Sequence, residues 1–385
     1  MDIRTDFLPL SRPAIGPEEV EAVVSVLTSG WITSGPKAAE LEDIFRRETG
    51  APHAIAVTSA TAGLHLVLTA LGIGPGDEVV TPSMTFASTV NQIALRGATP
   101  VFADNDYATM QVIPEAVAEK IGPRTKAVMP VHFAGAPADM DPIAHAAAKA
   151  GVPVIEDAAH AVGTVYKGRP AGTLGDIAIF SFHPIKNITT GEGGMITCKD
   201  EALAKKIRLL RFHGIERDAW KRYGKGGNPD YDIREPGFKY NLPDILAVLG
   251  VVQMGRVRTL NARRGELSAR YVAGLSGVSG IDLPGVPSYD HNNSHHLFIV
   301  KVTGLDREAF LGRLGDYNVG FGLHFPPCHL LSYVRERYGT KPGDCPGAEA
   351  AGGRLLSLPL FPDMADADAD YVCAAIREIL AGGNG

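Results

Sequence analysis

Ser181-Phe182-His183-Pro184-Ile185-Lys186-Asn187 follows the apolar run Ile177 to Phe180 and precedes Gly191-Glu192-Gly193-Gly194-Met195-Ile196. The apolar run predicts a buried strand, so Lys186 falls just beyond a strand end, beside glycines. Gly191, Gly193 and Gly194 allow backbone conformations closed to other residues and a close approach to a bound group, and Ser181 offers a hydroxyl shortly before the amine. An amine that attacks a carbonyl must be partly deprotonated, and enclosure near apolar or cationic groups lowers its pKa enough for that. Most lysines are solvated surface residues, so the reading of Lys186 as a carbonyl-attacking amine depends on what the rest of the chain sets beside it.

Upstream, short apolar runs alternate with helical periodicity. Ala54–Val57, Glu78–Thr81, Pro100–Ala103, Ala127–Val131 and Val152–Ile155 predict buried strands, and Thr61–Leu71, Phe86–Leu95, Pro114–Ile121 and Met140–Ala150 predict helices between them. That alternation implies an α/β fold with a mostly parallel central sheet covered by helices on both faces. Ligands of such sheets gather at the carboxyl ends of the strands. Thr58 to Gly63, Glu156-Asp157-Ala158-Ala159-His160, and Ser181 with Lys186 all fall there. A helix entered at Pro17 leads to a loop, Ser29 to Pro36, in which glycines and a proline bracket Trp31.

Beyond Asp200 a helix runs to Arg211, and Arg217–Pro236 reads as a long polar loop, a length that usually signals function or mobility. From Pro243 one long helix carries the chain to Gly274 and into a smaller α+β domain. There the pattern predicts a strand at His296–Val302, a helix at Arg307–Leu314, a Gly/His/Pro loop at Gly320–His329 and a closing helix after Asp366. The expected division is a large domain over 1–250 and a small one over 251–385.

Of the 385 residues 45% are hydrophobic and 21% charged, enough to fill more than one core. A net charge of -6 offers no general attraction for nucleic acid or anionic lipid. The cysteines form no CxxC pair, no apolar run is long enough to span a bilayer, and the first residues lack an apolar leader. These features together lead us to expect a cytoplasmic protein.

A phosphorylated aldehyde cofactor with a pyridine ring needs an amine to condense with, a carboxylate to keep the ring nitrogen protonated, and donors for the phosphate. Lys186 supplies an amine, Asp157 a carboxylate at a strand end, and the helix beginning near Thr61 a phosphate site at its free N–H groups. Ser59, Thr61 and Ser181 add hydroxyls. Each has a plain structural alternative, Asp157 as a loop carboxylate and Ser59–Gly63 as an ordinary helix cap. Occurring together on one edge of the sheet, they favour the cofactor.

Ser-Ala-Thr-Ala-Gly, then Glu-Asp-Ala-Ala-His, then Ser-Phe-His-Pro-Ile-Lys-Asn with Gly-Glu-Gly-Gly resembles the DegT/DnrJ/EryC1/StrS family of pyridoxal-phosphate-dependent sugar aminotransferases over nearly the whole chain. Gly30–Pro36, Pro82–Phe86, Pro130–Asp139, Lys239–Asp244 and Leu358–Met364 extend the resemblance, closest to the branch that forms UDP-4-amino-4-deoxy-L-arabinose from a UDP-linked 4-keto pentose and glutamate. The resemblance implies the type I fold of pyridoxal-phosphate-dependent transferases, like aspartate aminotransferase. It implies that Lys186 holds the cofactor and moves the proton, that Asp157 pairs with the ring nitrogen, that Phe86 stacks on the ring and that His160 lies near its phenolic oxygen. Ala60, Thr61 and Ser181 would hold the phosphate, joined by Asn241 of a second subunit in a homodimer with shared sites. Trp31 and His183 would touch the sugar nucleotide. Relatives of this kind also aminate UDP- or GDP-linked 4-keto-6-deoxyhexoses, and some carry histidine in place of the lysine and act as dehydratases; Lys186 points to transamination.

Three rivals remain in view. A metal site at His324-Phe325-Pro326-Pro327-Cys328-His329 lacks a second clustered pair of ligands. A pyridoxal-phosphate-binding regulatory protein would need a DNA-reading domain, for which the first 50 residues offer neither length nor basic charge. A lyase of the same fold differs only in reaction.

Overall fold

The computed structural model describes residues 2–215 and 230–382. Its strands are β1 (His53–Val57), β2 (Glu78–Pro82), β3 (Thr99–Ala103), β4 (Thr125–Val128), β5 (Ile155–Asp157), the short β6 (Val165–Tyr166) and β7 (Arg169–Pro170), β8 (Ile177–Ser181) and β9 (Gly194–Cys198). β3, β2 and β4 pair in parallel. Parallel bridges Val128–Val154 and Val131–Asp157 join β4 to β5, which pairs in parallel with β8. β9 then runs antiparallel between β8 and β1. The result is a continuous, mostly parallel sheet in the order β3-β2-β4-β5-β8-β9-β1.

The chemistry of β8 explains its central place. Every residue of Ile177–Ser181 is buried, as a strand covered on both faces requires. Ile177 and Ile179 pack with Ile55, Leu64, Val67 and Ile196 on one side. Ala178 and Phe180 pack with Phe45, Ala54 and Ala247 on the other. The side-chain period of two is thus filled on both faces. The helix Ala60–Ala70 lies close on the first face because Gly63 has no Cβ; one built there would stand 3.0 Å from the Ile179 methyl.

Two expected strands are displaced in a way that matters for the site. Pro130, with no N–H to give, interrupts the regular ladder, so β4 stops at Val128 and pairing beyond it survives as the Val131–Asp157 bridge, while Pro153 precedes the Val128–Val154 bridge and β5 begins at Ile155. Asp157 thereby becomes the last residue of a strand. The helix Pro36–Thr49 and strand β9 were not foreseen. The long polar loop expected over Arg217–Pro236 lies, up to residue 229, outside the described residues.

The helix Asp244–Leu275 serves two cores: Ala247, Met254, Val257 and Leu260 face the sheet, whereas Leu267, Tyr271 and Leu275 enter a second cluster. That second cluster covers an antiparallel sheet of β10 (Ile281–Asp282), β12 (Phe298–Val302) and β13 (Leu355–Leu358); β11 (His291–Asn292) pairs instead with β6. The helices Arg307–Asp316 and Asp366–Ala381 close it, and Leu8, from the other end of the chain, is buried in it. No helix among the described residues is long and apolar enough to cross a membrane.

Candidate active site

A cavity of about 230 Å³ opens at the carboxyl ends of the sheet strands, and Ala60, Thr61, Phe86, Asp157, His160, Ser181, His183 and Lys186 all line it. Ser59 caps the helix Ala60–Ala70, its hydroxyl accepting from Ala62 N–H at 3.0 Å. The N–H groups of Ala60 and Thr61, at the first two helical positions, have no intrahelical partner and stand ready for an anion. Ser181 ends β8 and adds its hydroxyl. Gly194 is opposite the start of that helix, where a Cβ would come within 2.7 Å of Ala60 N, so glycine is what lets β9 pass so close.

Asp157 is buried and each oxygen has one protein donor: Thr89 Oγ1 gives to Oδ2 at 2.8 Å and Ala159 N–H to Oδ1 at 3.2 Å. Burial raises its pKa, opposed by those two bonds and by the charges of Lys186 and His132. Lys186 is the counterpart. Burial lowers its amine from 10.5 to about 8, with only the Asp157 charge acting the other way, and Nζ lies 3.4 Å from Nε2 of His296. His160 accepts from Ala134 N–H at Nδ1, and its ring packs 4.3 Å from His296 and 5.8 Å from Phe325, centroid to centroid. Burial, then the Lys186 charge, holds His160 well below the usual histidine range. Phe86 is 58% exposed although it is a large hydrophobic residue, so it presents a free aromatic surface to the cavity.

Trp31 and Asn241 do not line this cavity. They meet each other through Ser34 instead: Trp31 Nε1 donates to the Ser34 carbonyl at 3.2 Å, and Asn241 Nδ2 donates to the Ser34 hydroxyl. Lys239 Nζ gives a further bond to Asn241 Oδ1 at 2.7 Å, and the Asn241 backbone bridges to Val57 at the end of β1.

Several cavity residues went unrecognised in the sequence. His324 and Phe325 arrive on the loop that Gly322 bridges to Ser357 of β13, Phe325 being buried in a separate cluster with Met84, Phe133 and Cys328; His324 Nδ1 lies 2.8 Å from Ser357 Oγ and its pKa is lowered to about 4, by burial and then by the Lys186 charge. Phe325 lies among Phe86, Phe133 and His160. Behind the cavity wall, His296, which meets Lys186, and Thr89, which meets Asp157, also escaped notice, since a histidine ahead of a strand and a threonine in a helix carry no local signal. The His324 to His329 loop did stand out, but its side chains go to separate partners: Cys328 Sγ to the Thr85 carbonyl, His329 to Ser83 Oγ and Glu349. Among the described residues no group of three or more His, Cys, Asp or Glu side chains is arranged to hold a metal ion.

Free donors at a helix start, a buried carboxylate, an amine of lowered pKa and an exposed aromatic face suit a phosphorylated pyridine aldehyde. The DegT/DnrJ/EryC1/StrS aminotransferase family matches the chain over residues 13–377. The chain belongs to that family. TlmJ, an aminotransferase from Streptoalloteichus hindustanus, is 36% identical, with a TM-score of 0.90 over 98% of this chain and 100% of that one. Spr1654 from Streptococcus pneumoniae, solved in a PLP form, is 32% identical, with a TM-score of 0.90 over 98% of this chain and 99% of that one. CalS13, a sugar aminotransferase from Micromonospora echinospora, is 31% identical, with a TM-score of 0.86 over 96% of this chain and 99% of that one. This family member has the type I fold of pyridoxal-phosphate-dependent transferases, and its cofactor is pyridoxal 5'-phosphate.

Proposed function

We propose that this DegT/DnrJ/EryC1/StrS aminotransferase moves the amino group of glutamate to the C4 keto group of a nucleotide-linked sugar, with a UDP-linked 4-keto pentose as acceptor. The observation that carries the reading is the enclosure of Lys186 and Asp157 in one cavity, beside Ala60 and Thr61 at the start of the helix Ala60–Ala70. The pentose rests on the resemblance of Gly30–Pro36, Phe133–Asp139 and Leu358–Met364 to the arabinose-forming branch.

When bound, the cofactor supplies an electron-withdrawing ring that stabilises negative charge at the carbon that loses its proton. Ala60, Thr61 and Ser181 would hold its phosphate, Phe86 would cover a ring face, and Asp157 would keep the ring nitrogen protonated. Lys186 has two duties. It must be neutral to attack the aldehyde, and neutral again to take a proton, which a pKa of about 8 permits for a useful fraction of molecules near neutrality. His296 offers that amine a hydrogen-bond partner at 3.4 Å. His160, held neutral by burial, brings a hydrogen-bonding ring to the cavity without adding charge, and His324 with Phe325 closes one wall against water.

The acceptors differ by a methyl group at C5, and one methylene in an apolar pocket discriminates by only about 1–3 kcal/mol. The test is kinetic: with glutamate as donor, kcat/KM for the UDP-linked 4-keto pentose is compared with UDP- and GDP-linked 4-keto-6-deoxyhexoses. A preference of roughly tenfold or more for the pentose is expected on that magnitude. Preference for a deoxyhexose removes the pentose. Failure of glutamate to convert the bound cofactor to its amine form, followed by absorbance, removes the donor.

A further inference from the structure

Asp157 faces a difficulty that its position creates. A carboxylate enclosed at a strand end is driven towards the neutral acid, yet it must stay charged to partner a protonated ring nitrogen. Of the charged or titratable groups near it, Lys186 stands on the segment after β8, and His132, on the segment after β4, is already hydrogen-bonded at 2.9 Å to Glu156. Lys186 cannot be relied on, because its amine works in the uncharged form. The constant support is therefore made of neutral donors.

Thr89 supplies one in a manner its surroundings dictate. A carboxylate only accepts, so the Thr89 hydroxyl must donate to Asp157 Oδ2, at 2.8 Å. Its lone pair is then free to accept, and Thr85 Oγ1 donates to it at 3.0 Å. Thr85 and Thr89 are both buried. Behind them, Cys328 Sγ donates to the Thr85 carbonyl at 3.1 Å and Cys328 N–H to the Ser83 carbonyl at 2.8 Å, so the segment carrying Thr85 is tied to the loop that brings His324 and Phe325. A hydroxyl polarised by a second hydroxyl is a stronger donor than one alone. Nothing in this arrangement requires a threonine for helix formation, since β-branched residues are indifferent helix formers.

We propose that Thr89 is a positioning residue for Asp157: its hydroxyl, backed by Thr85, orients the carboxylate and holds it ionised independently of Lys186. The proposal rests on the cofactor reading above, but its test does not. In the full-length protein free of cofactor, Asp157 is titrated by NMR with ¹³C-carboxyl aspartate, its signal assigned by disappearance in Asp157→Asn. Thr89→Val keeps the shape and removes the donor; the midpoint rises by about one pH unit, a tenfold change in proton affinity, as expected for one hydrogen bond to a charged group. Thr89→Ser keeps the donor and titrates like the parent. Thr85→Val, which leaves Thr89 in place, gives a smaller rise and decides the matter should Thr89→Val not fold. In the PLP-loaded protein, the acid limb of cofactor retention shifts upward in Thr89→Val and returns in Thr89→Ser. An unmoved Asp157 midpoint in Thr89→Val, or in Thr85→Val if that variant alone folds, overturns the proposal, as does an equal shift in Thr89→Ser. A parent protein that takes up no PLP would instead sink the functional reading.

Discussion

In the proposed reaction Lys186 must serve as a nucleophile although lysine is ordinarily charged, and burial reconciles the two by moving its pKa from 10.5 to about 8. The sign follows directly: lowering the pKa favours the neutral amine, so the reactive fraction grows as pH rises through about 8 and is small below it. Uptake of PLP by cofactor-free protein, followed by stopped-flow absorbance, is expected to accelerate with pH, with its midpoint near pH 8. A midpoint near 10.5 would show a solvated amine. This residue was legible in the sequence because the strand, the glycines and Ser181 lie within a few positions of it. Asp157 was legible because the apolar run ending at Ile155 sets it at a strand end, on the same edge of the sheet. His296, Phe325 and His324 were not, because they reach this region from far along the chain, contacts of long sequence separation that no local pattern records. Phe86 was read from resemblance; the fold sets it, exposed, at the cavity.

The elements show where pattern reading stops. The expected parallel strands were found with shifted ends, and around Pro130 and Pro153 the ladder is reduced to single bridges. The helix Pro36–Thr49 was missed because its buried apolar positions, Ala38, Leu41 and Phe45, are sparse among charged residues. One of those charged residues holds the helix in place. Glu42 accepts from Arg211 Nη1 at 2.6 Å, from Arg208 Nη1 at 2.7 Å and from Ala56 N–H at 2.9 Å, which ties the helix to β1 and to the helix Glu201–Arg211. Burial alone would raise the Glu42 pKa, but the two guanidinium charges and the hydrogen bonds bring it below the ordinary value. Its contribution to stability is therefore present above the unfolded carboxyl pKa and is lost as pH falls through the lower folded value. Removing one partner from a buried ion pair leaves the other unpaired, which costs about 3–5 kcal/mol. Arg208 is open enough to solvent that the lower end applies. Glu42→Ala is thus expected to lose about 3 kcal/mol in urea unfolding at neutral pH, and a loss under about 1 kcal/mol would mark the cluster as a surface pair.

For the whole molecule, the issue is why two residues expected at the active site stand away from the cavity in their own chain. Trp31, Ser34 and Asn241 form one bonded group at the end of β1, and the side chain of Asp244, the first residue of the following helix, is fastened to the same loop through Gly35, whose N–H donates to Asp244 Oδ1 at 2.8 Å. A group so well tied does not swing across to Lys186. We propose that a second copy of the chain brings its own Trp31–Ser34–Asn241 group to each cavity, so that the site is complete only in a symmetric homodimer. The arrangement has a testable arithmetic. Lys186→Ala and Asn241→Ala homodimers each carry a lesion in both sites. If Asn241 serves the partner, a mixed dimer contains one site with both lesions and one with neither. Mixing equal amounts of the two inactive proteins under conditions that exchange subunits should then restore roughly a quarter of the parent activity, because random assortment makes half the dimers mixed and each has one intact site. If Asn241 acts within its own chain, every site in the mixture keeps one lesion and no activity returns. Recovery also requires subunit exchange, so the mixture is followed with two differently tagged chains, and dual-tagged dimers lacking activity would exclude the shared site.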